Sequence, residues 1–442
     1  MLGIVGRVSR STLAGRIAAA EALVLAAVTP ALLFPATARA AAALAAAVVV
    51  WTAYRVANGR WLPPTPLNPI LGWLAALVSL SMITTFDPVG SLGKACGVAL
   101  GMIVVGYLLR HVRTGRQIVM AAWLFAVAGA MLACVGLLGT NWTSKLGDLG
   151  DITGRLPVLI RGVPGAEEGF HPNAVAGMLV LFIPVQLGLL IGVARCRTNP
   201  RRQRRNLVAA LLLVGVTVAT LLLTQSRGAL AGLATAAVAV MVWHSKAARL
   251  LGASLVAGLA IWILASGPRE TLDWLVKRSG STLSEDINGR VEVWSRALYV
   301  IRDVPFTGLG LNNFRKVQPI RYPVFLNVPD RDLAHAHNNF LQIGADLGVP
   351  GMVVYAALWI TLAAMLTSIY PTASAHGKGP LVVGLATGFL AHFTFGLTDA
   401  IPLGAKVGVF FWFAVGLIAC LFRRYAAAKN PPHHTLHSVK PA

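Results

Sequence analysis

The sequence is short of charge, and shorter still of acid. Only 12% of its 442 residues are Asp, Glu, Lys or Arg, and 16 carboxylates stand against 38 basic side chains. A soluble domain carries about twice that charged fraction, so a soluble globular chain is excluded. Cysteine is scarce as well. Cys96, Cys134, Cys196 and Cys420 share no metal-ligand spacing; three lie in or beside apolar runs and Cys196 lies in a basic link. They read as small fillers with no disulfide framework. The chain has no Walker loop, no zinc-type His/Glu pair and no Rossmann glycine pattern, and no cofactor is expected. Gly308-Leu309-Gly310 follows no strand and reads as a turn. No internal repeat is visible.

What is abundant is apolar residue, 56% of the chain. It clusters in runs near the ~20 residues that a helix needs to cross a bilayer. About twelve such spans fall near 17–36, 40–57, 67–86, 91–109, 118–139, 173–194, 207–224, 228–244, 249–266, 345–369, 380–398 and 405–422. The expected fold class is an all-α polytopic membrane protein. The first run is followed by many others, so it reads as a span and not as a cleaved signal.

The net charge of +22 could suggest nucleic acid, but its distribution does not. With the N-terminus in the cytoplasm, the inner links hold Arg55 and Arg60, Arg110 to Arg116, Arg195 to Arg205, Lys246 and Arg249, Lys378, and Arg423 and Arg424. The short outer links are nearly bare of cations, which is the positive-inside pattern. The basic links also favour anionic membrane lipids. Of the acids, only Glu21 falls toward the inner side or within a span; Asp87, Asp148, Asp151, Glu167, Glu168, Asp346, Asp399 and the others fall in outer loops or at outer span ends. Polar chemistry therefore faces outward.

The organisation that follows is nine spans in 1–266 with an outer loop at 140–172, a large outer loop at 267–337, three spans in 338–424, and a basic tail at 425–442 that reads as disordered. Within the large loop, Val291, Trp294, Leu298 and Ile301 recur at helical spacing and predict an amphipathic helix over 288–301 that lies on the membrane surface or caps the bundle.

Several outer-face residues are candidates for chemistry. His337 stands where the large loop enters a span, and an imidazole with its ordinary pKa of about 6.5 suits a general base. It could equally be an interfacial histidine without a role. Arg227 sits between two spans with almost no link; it either holds an anion or reaches lipid phosphate. Arg161 and Arg290 lie in the two longer outer loops, as anion ligands or as solvated side chains. Arg290 follows Asn288-Gly289, so the helix start and its guanidinium could hold one anion together. Together, three outer arginines suit a diphosphate. His171 precedes the sixth span beside Asn173, which reads as a helix N-cap. Asp399, at a span end, is either solvated or paired with Arg or His. Lys94 and Asp87 flank one outer link and are expected to pair. Asp330-Arg331-Asp332 has a D-x-D form, weak as a metal signal, and no metal is expected.

Taken together these segments resemble the O-antigen ligase and polymerase superfamily, most closely the WaaL-type ligases. His337-Asn338, nine residues, Gly348, two residues and Gly351 match the ligase histidine pattern. Ser226-Arg227-Gly228 and Gly289-Arg290 through Trp294 to Gly308-Leu309-Gly310 look like family segments, and the layout agrees. The likeness covers most of 160–400. Where some ligases carry Arg, three residues and Leu, this chain has Arg290 followed by Trp294.

The resemblance implies a metal-independent inverting glycosyltransferase of the GT-C type in a bacterial inner membrane, its active site facing the periplasm. The donor would be undecaprenyl-diphosphate-linked O-antigen and the acceptor a hydroxyl of lipid A-core. His337 would be the base, with Arg161, Arg227 and Arg290 on the diphosphate. His335, Asn338, His171 and Asp399 would be supporting groups. The rivals are a Wzy-type polymerase with the same donor, a protein O-glycosylation ligase, and a lipid-linked glycan transporter. Transporters usually place ionisable groups near the membrane centre, and almost none are seen mid-span here.

Overall fold

The computed structural model describes residues 15–17, 19–142, 153–196, 199–247, 249, 250, a few single positions between 254 and 265, 281–325 and 333–426, with backbone alone at 281–286. The helices are α1 (Glu21–Leu33), α2 (Thr37–Asn58), α3 (Asn68–Thr84), α4 (Pro88–His111), α5 (Gly115–Gly139), α6 (Pro172–Arg195), α7 (Pro200–Leu223), α8 (Arg227–His244), α9 (Ser281–Asp303), α10 (Phe314–Arg321), α11 (Asn339–Ala375), α12 (Gly379–Gly396) and α13 (Gly408–Ala426). An all-helical fold is what a bilayer demands, because each span must satisfy its own backbone hydrogen bonds. Polar residues mark the starts. Asp87 caps α4 by accepting from Gly90 N at 2.9 Å, and Asn199 caps α7 by accepting from Arg201 N at 3.0 Å. Thr114 and Gln117 form a capping box on α5.

Among the described residues, nine helices are long and apolar enough to cross a membrane: α2, α4 to α8, and α11 to α13. Helices α1 and α3 are apolar but shorter. The span expected at 249–266 lies mostly outside the described residues, as do the Asp330-Arg331-Asp332 tripeptide and the tail beyond 426.

Helix α6 runs through the core and packs on α12 with backbones in close approach. A Cβ on Gly188 would lie 2.4 Å from Pro380 O, and one on Gly384 2.5 Å from Pro184 O. Small residues at such crossings let dispersion act over the whole helix length. His392 of α12 adds a buried hydrogen bond from Nδ1 to Gly177 O at 2.8 Å.

The two ends of the bundle differ in chemistry. The starts of α6, α8 and α11 and the end of α12 gather at one end, where Asn173, Arg227, His337 and Asp399 meet. The opposite end carries the basic residues that terminate α4, α6 and α13 and that begin α5 and α7. There Glu21 joins α1 to α4: it accepts from the buried Arg110 and bonds His111 Nε2 at 2.8 Å. The Arg110 guanidinium also lies over the rings of Trp51 and Tyr54 of α2, at 5.0 and 5.2 Å.

The described part of the large loop, 281–325 and 333–337, is docked on the bundle. Helix α9 exists as expected and begins earlier, at Ser281. Its buried face is offset from the expected one. Val293, Ala297 and Val300 are buried, packed with Phe314, Leu333, Ala336 and Ala345. Of the expected stripe, Ile301 is buried against α11 at Gly344, Val291 and Trp294 are half-buried, and Leu298 is exposed. Residues 305–313 then wedge between α11 and the adjoining ends of α3 and α4. Leu309 N donates to Ala345 O at 2.8 Å, Val349 N to Pro305 O at 2.7 Å, and Leu311 N to Ser81 Oγ at 3.2 Å. Helix α11 is broken at Gly348, whose φ of 70° and ψ of −170° leave the helical region. A Cβ there would sit 2.5 Å from Pro305 O, so the break and the docking both require glycine.

Asp87 does not pair with Lys94 as expected. It pairs with Lys316 of α10, and Lys94 instead lines an internal cavity with Asp346. Lys94 lies well inside α4, a turn and more past the Asp87 cap.

Candidate functional site

The site is built where α11 starts. Asn338 is its N-cap: Oδ1 accepts from Phe340 N at 2.9 Å and Leu341 N at 3.1 Å, and Nδ2 donates to Leu397 O at 3.0 Å. That pins the α11 start to the end of α12. His337, just before the cap, has φ of +48°, a region that non-glycine residues enter only when their surroundings hold them there. Trp294 of α9 supplies one such hold, donating from Nε1 to His337 O at 3.2 Å. Gln342 Oε1 supplies another by accepting from Ala336 N at 2.8 Å.

The His337 ring meets Asp399. Nδ1 lies 3.0 Å from Oδ1 of that carboxylate, which is nearly buried. Asp399 Oδ1 also accepts from Ala400 N at 2.8 Å, and Oδ2 accepts from Asn173 Nδ2 at 2.7 Å. Burial pushes the Asp399 carboxyl up. The His337 hydrogen bond and the Arg290 charge outweigh that and hold it well below the usual carboxylate range. Asp399 is therefore ionised, and the proton shared with His337 belongs on Nδ1. That tautomer leaves Nε2 with its lone pair.

His335 lies against the same carboxylate, with Nε2 3.8 Å from Asp399 Oδ1, and its ring stands edge-on to that of His337 at 4.5 Å. Its Nδ1 accepts from His337 N at 3.3 Å, which leaves any ring proton of His335 on Nε2. Burial and the neighbouring His337 charge bring its pKa down to about 3.

Asp399 and Asn173 also line a small cavity of about 60 Å³ with Arg227 and Arg290. Arg227 opens α8 after a tight turn from α7, in which Gln225 takes φ of +53° and its side chain donates to Thr153 Oγ1 at 3.0 Å. Gly228 lets α8 close on α12, since a Cβ there would lie 2.7 Å from Thr398 Oγ1. Arg290 reaches the cavity from the middle of α9, so the helix start does not share its anion as expected.

The structure thus brings together His337, His335, Asn338, Asp399, Arg227 and Arg290. Arg161 is exposed on the 153–171 loop and is not among the side chains that line the cavity. His171 turns out to be the N-cap of α6, its Nδ1 accepting from Asn173 N at 3.3 Å. Asn173 is then free to orient Asp399. That corrects the expected cap, and it was missed because a single Asn before an apolar run carries the stronger local signal.

His335, His337 and Asp399 bring their ligand atoms within 4.8 Å of one another, close enough to hold a metal ion. The surroundings favour an anion. Arg290 bears on Asp399, Lys94 and His171 bear on His335, and both Asp399 oxygens already accept hydrogen bonds.

A multi-pass helical membrane protein with a carboxylate-oriented histidine beside two guanidinium groups is thus defined by fold and site. Residues 208–356 match the family model described as O-antigen ligase (Wzy_C). The matched stretch contains Arg227, Arg290, Trp294, His335 and His337, and ends before Asp399. No curated protein matches the chain.

Proposed function

We propose that this protein is an O-antigen ligase, a GT-C-type inverting glycosyltransferase that moves O-antigen from undecaprenyl diphosphate to a hydroxyl of lipid A-core at the periplasmic face of the inner membrane. The observation that carries the reading is the His337–Asp399 pair at 3.0 Å, with Asp399 lining one cavity with Arg227 and Arg290.

His337 Nε2 takes the proton of the acceptor hydroxyl, and the oxygen attacks the anomeric carbon from the face opposite the diphosphate. The carbon–oxygen bond to the diphosphate breaks as the new glycosidic bond forms, and the electron pair leaves on the lipid diphosphate. Arg227 and Arg290 meet the charge that grows there. Arg161, exposed on the 153–171 loop, is a further diphosphate contact in this reading. Asp399 steadies the imidazolium until its proton passes to water. The bond arrives already activated on the lipid, so no nucleotide enters.

The site end of the bundle faces the periplasm in this reading because the cations gather at the other end. A twelve-span count, with 249–266 as the ninth, places both termini in the cytoplasm.

The test is in vitro ligation with purified protein, lipid-linked donor and lipid A-core, with chelator present. His337→Ala should abolish product, and Asp399→Asn should lower kcat by about 100-fold or more through loss of the favoured tautomer. Full turnover by His337→Ala at normal protein level rejects the base assignment. In cells, deletion should strand lipid-linked polymer; single repeats on the core would instead make the growing glycan the acceptor.

A further inference from the structure

The end of the bundle remote from the site holds a second feature. Helices α5, α7 and α12 all begin there, at Gly115, Pro200 and Gly379, and run toward the site end. Between them lies a lateral crevice of about 800 Å³. Three cations line it, one from each helix start: Arg116, Arg202 and Lys378. Below them the wall turns apolar with Met120 and Trp123 of α5 and Ala209 of α7. Helix α5 has 25 residues, so this crevice lies about 37 Å from the other end of that helix.

Three like charges drawn together repel one another, and each helix start adds a partial positive charge of its own. No acid pairs with any of the three among the described residues. Glu21, the carboxylate on this face, is engaged by Arg110 and His111. The arrangement is incomplete without an anion. The apolar wall continues from the cations along the membrane-facing side of α5 and α7, so the fitting anion also carries a hydrocarbon chain.

We propose that this crevice is a binding site for an anionic phospholipid, its phosphate held by Arg116, Arg202 and Lys378 and an acyl chain laid along Met120, Trp123 and Ala209. The site is separate from the His337 cavity and takes a lipid of the opposite leaflet. It ties the starts of three helices to one headgroup, among them α12, whose far end leads to Asp399.

The experiment is native mass spectrometry of the full-length protein titrated with phosphatidylglycerol, with phosphatidylcholine and inorganic phosphate as separate arms. The variant is Arg116→Ala/Arg202→Ala/Lys378→Ala. A control, Arg204→Ala/Arg205→Ala/Lys246→Ala, removes equal charge from the same face outside the crevice. Phosphatidylglycerol affinity should fall about 30-fold or more in the first and within about threefold in the control, as each surface cation near an anionic lipid contributes appreciably. Ala209→Trp, which fills the crevice without changing charge, should also weaken the lipid and leave thermal unfolding in lipid-free detergent unchanged. Equal losses in both triple variants, or none in either, overturn the proposal. So does displacement of the lipid by inorganic phosphate, which would make the site one for the free ion.

Discussion

At the residue scale, the backbone at His337 is as informative as its ring. A non-glycine residue at φ of +48° is held there by neighbours, and the Trp294 indole is one of them. Trp294→Phe keeps the ring and removes the donor. Loss of one such hydrogen bond is worth about 1 kcal/mol, so kcat should fall about fivefold. KM for the lipid donor should stay unchanged, and a rise in KM alone would remove Trp294 from the positioning of His337. His335 gives a pH signature. Its ordinary pKa of 6.5 falls to about 3 in the folded protein, so the unfolded chain binds the extra proton first as pH drops. Stability should decline from about pH 6.5 downward, and His335→Gln should flatten that slope. Thermal unfolding across that pH range checks it; identical slopes for both proteins would sink the assignment.

Much of the site was readable along the chain because part of it is local. The spacing from His337 to Gly348 and Gly351 is set by the short first half of α11, from its Asn338 cap to the Gly348 break. Arg227 was visible as a cation stranded between two apolar runs. What escaped was everything decided by distant partners. Asn173 and Asp399 are 226 positions apart, and nothing near Asn173 reveals that a histidine has already taken the cap. Trp294 looked like one more residue of an apolar stripe, and only the docked position of α9 gives its N–H a carbonyl to reach.

At the element scale, α9 and α11 are held by backbone-to-backbone contact through glycines. Gly348→Ala would force a side chain into a conformation open almost only to glycine and against the Pro305 carbonyl. Strain of this kind costs about 1–3 kcal/mol before any clash is relieved. The variant should unfold at lower temperature in detergent and lose ligation together. Gly162→Ala, also at positive φ but with open space around its Cβ, should leave ligation intact. Ligation by Gly348→Ala at the normal rate would show that the break is dispensable.

At the scale of the whole molecule, the separation of charge predicts which way the bundle sits. With the native cysteines replaced, Glu168→Cys should react with a membrane-impermeant maleimide in intact cells, and Lys246→Cys only after the inner membrane is opened. The reverse result would turn the site toward the cytosol and end the ligase reading.

The order of synthesis gives the His337–Asp399 contact one more meaning. The ring leaves the ribosome 62 residues before its carboxylate, and α12 must enter the bilayer before the two can touch. A nascent or truncated protein that stops short of α12 holds the imidazole with no Asp399 to fix its tautomer. Under the proposed mechanism, insertion of α12 is therefore the step at which the base acquires its carboxylate.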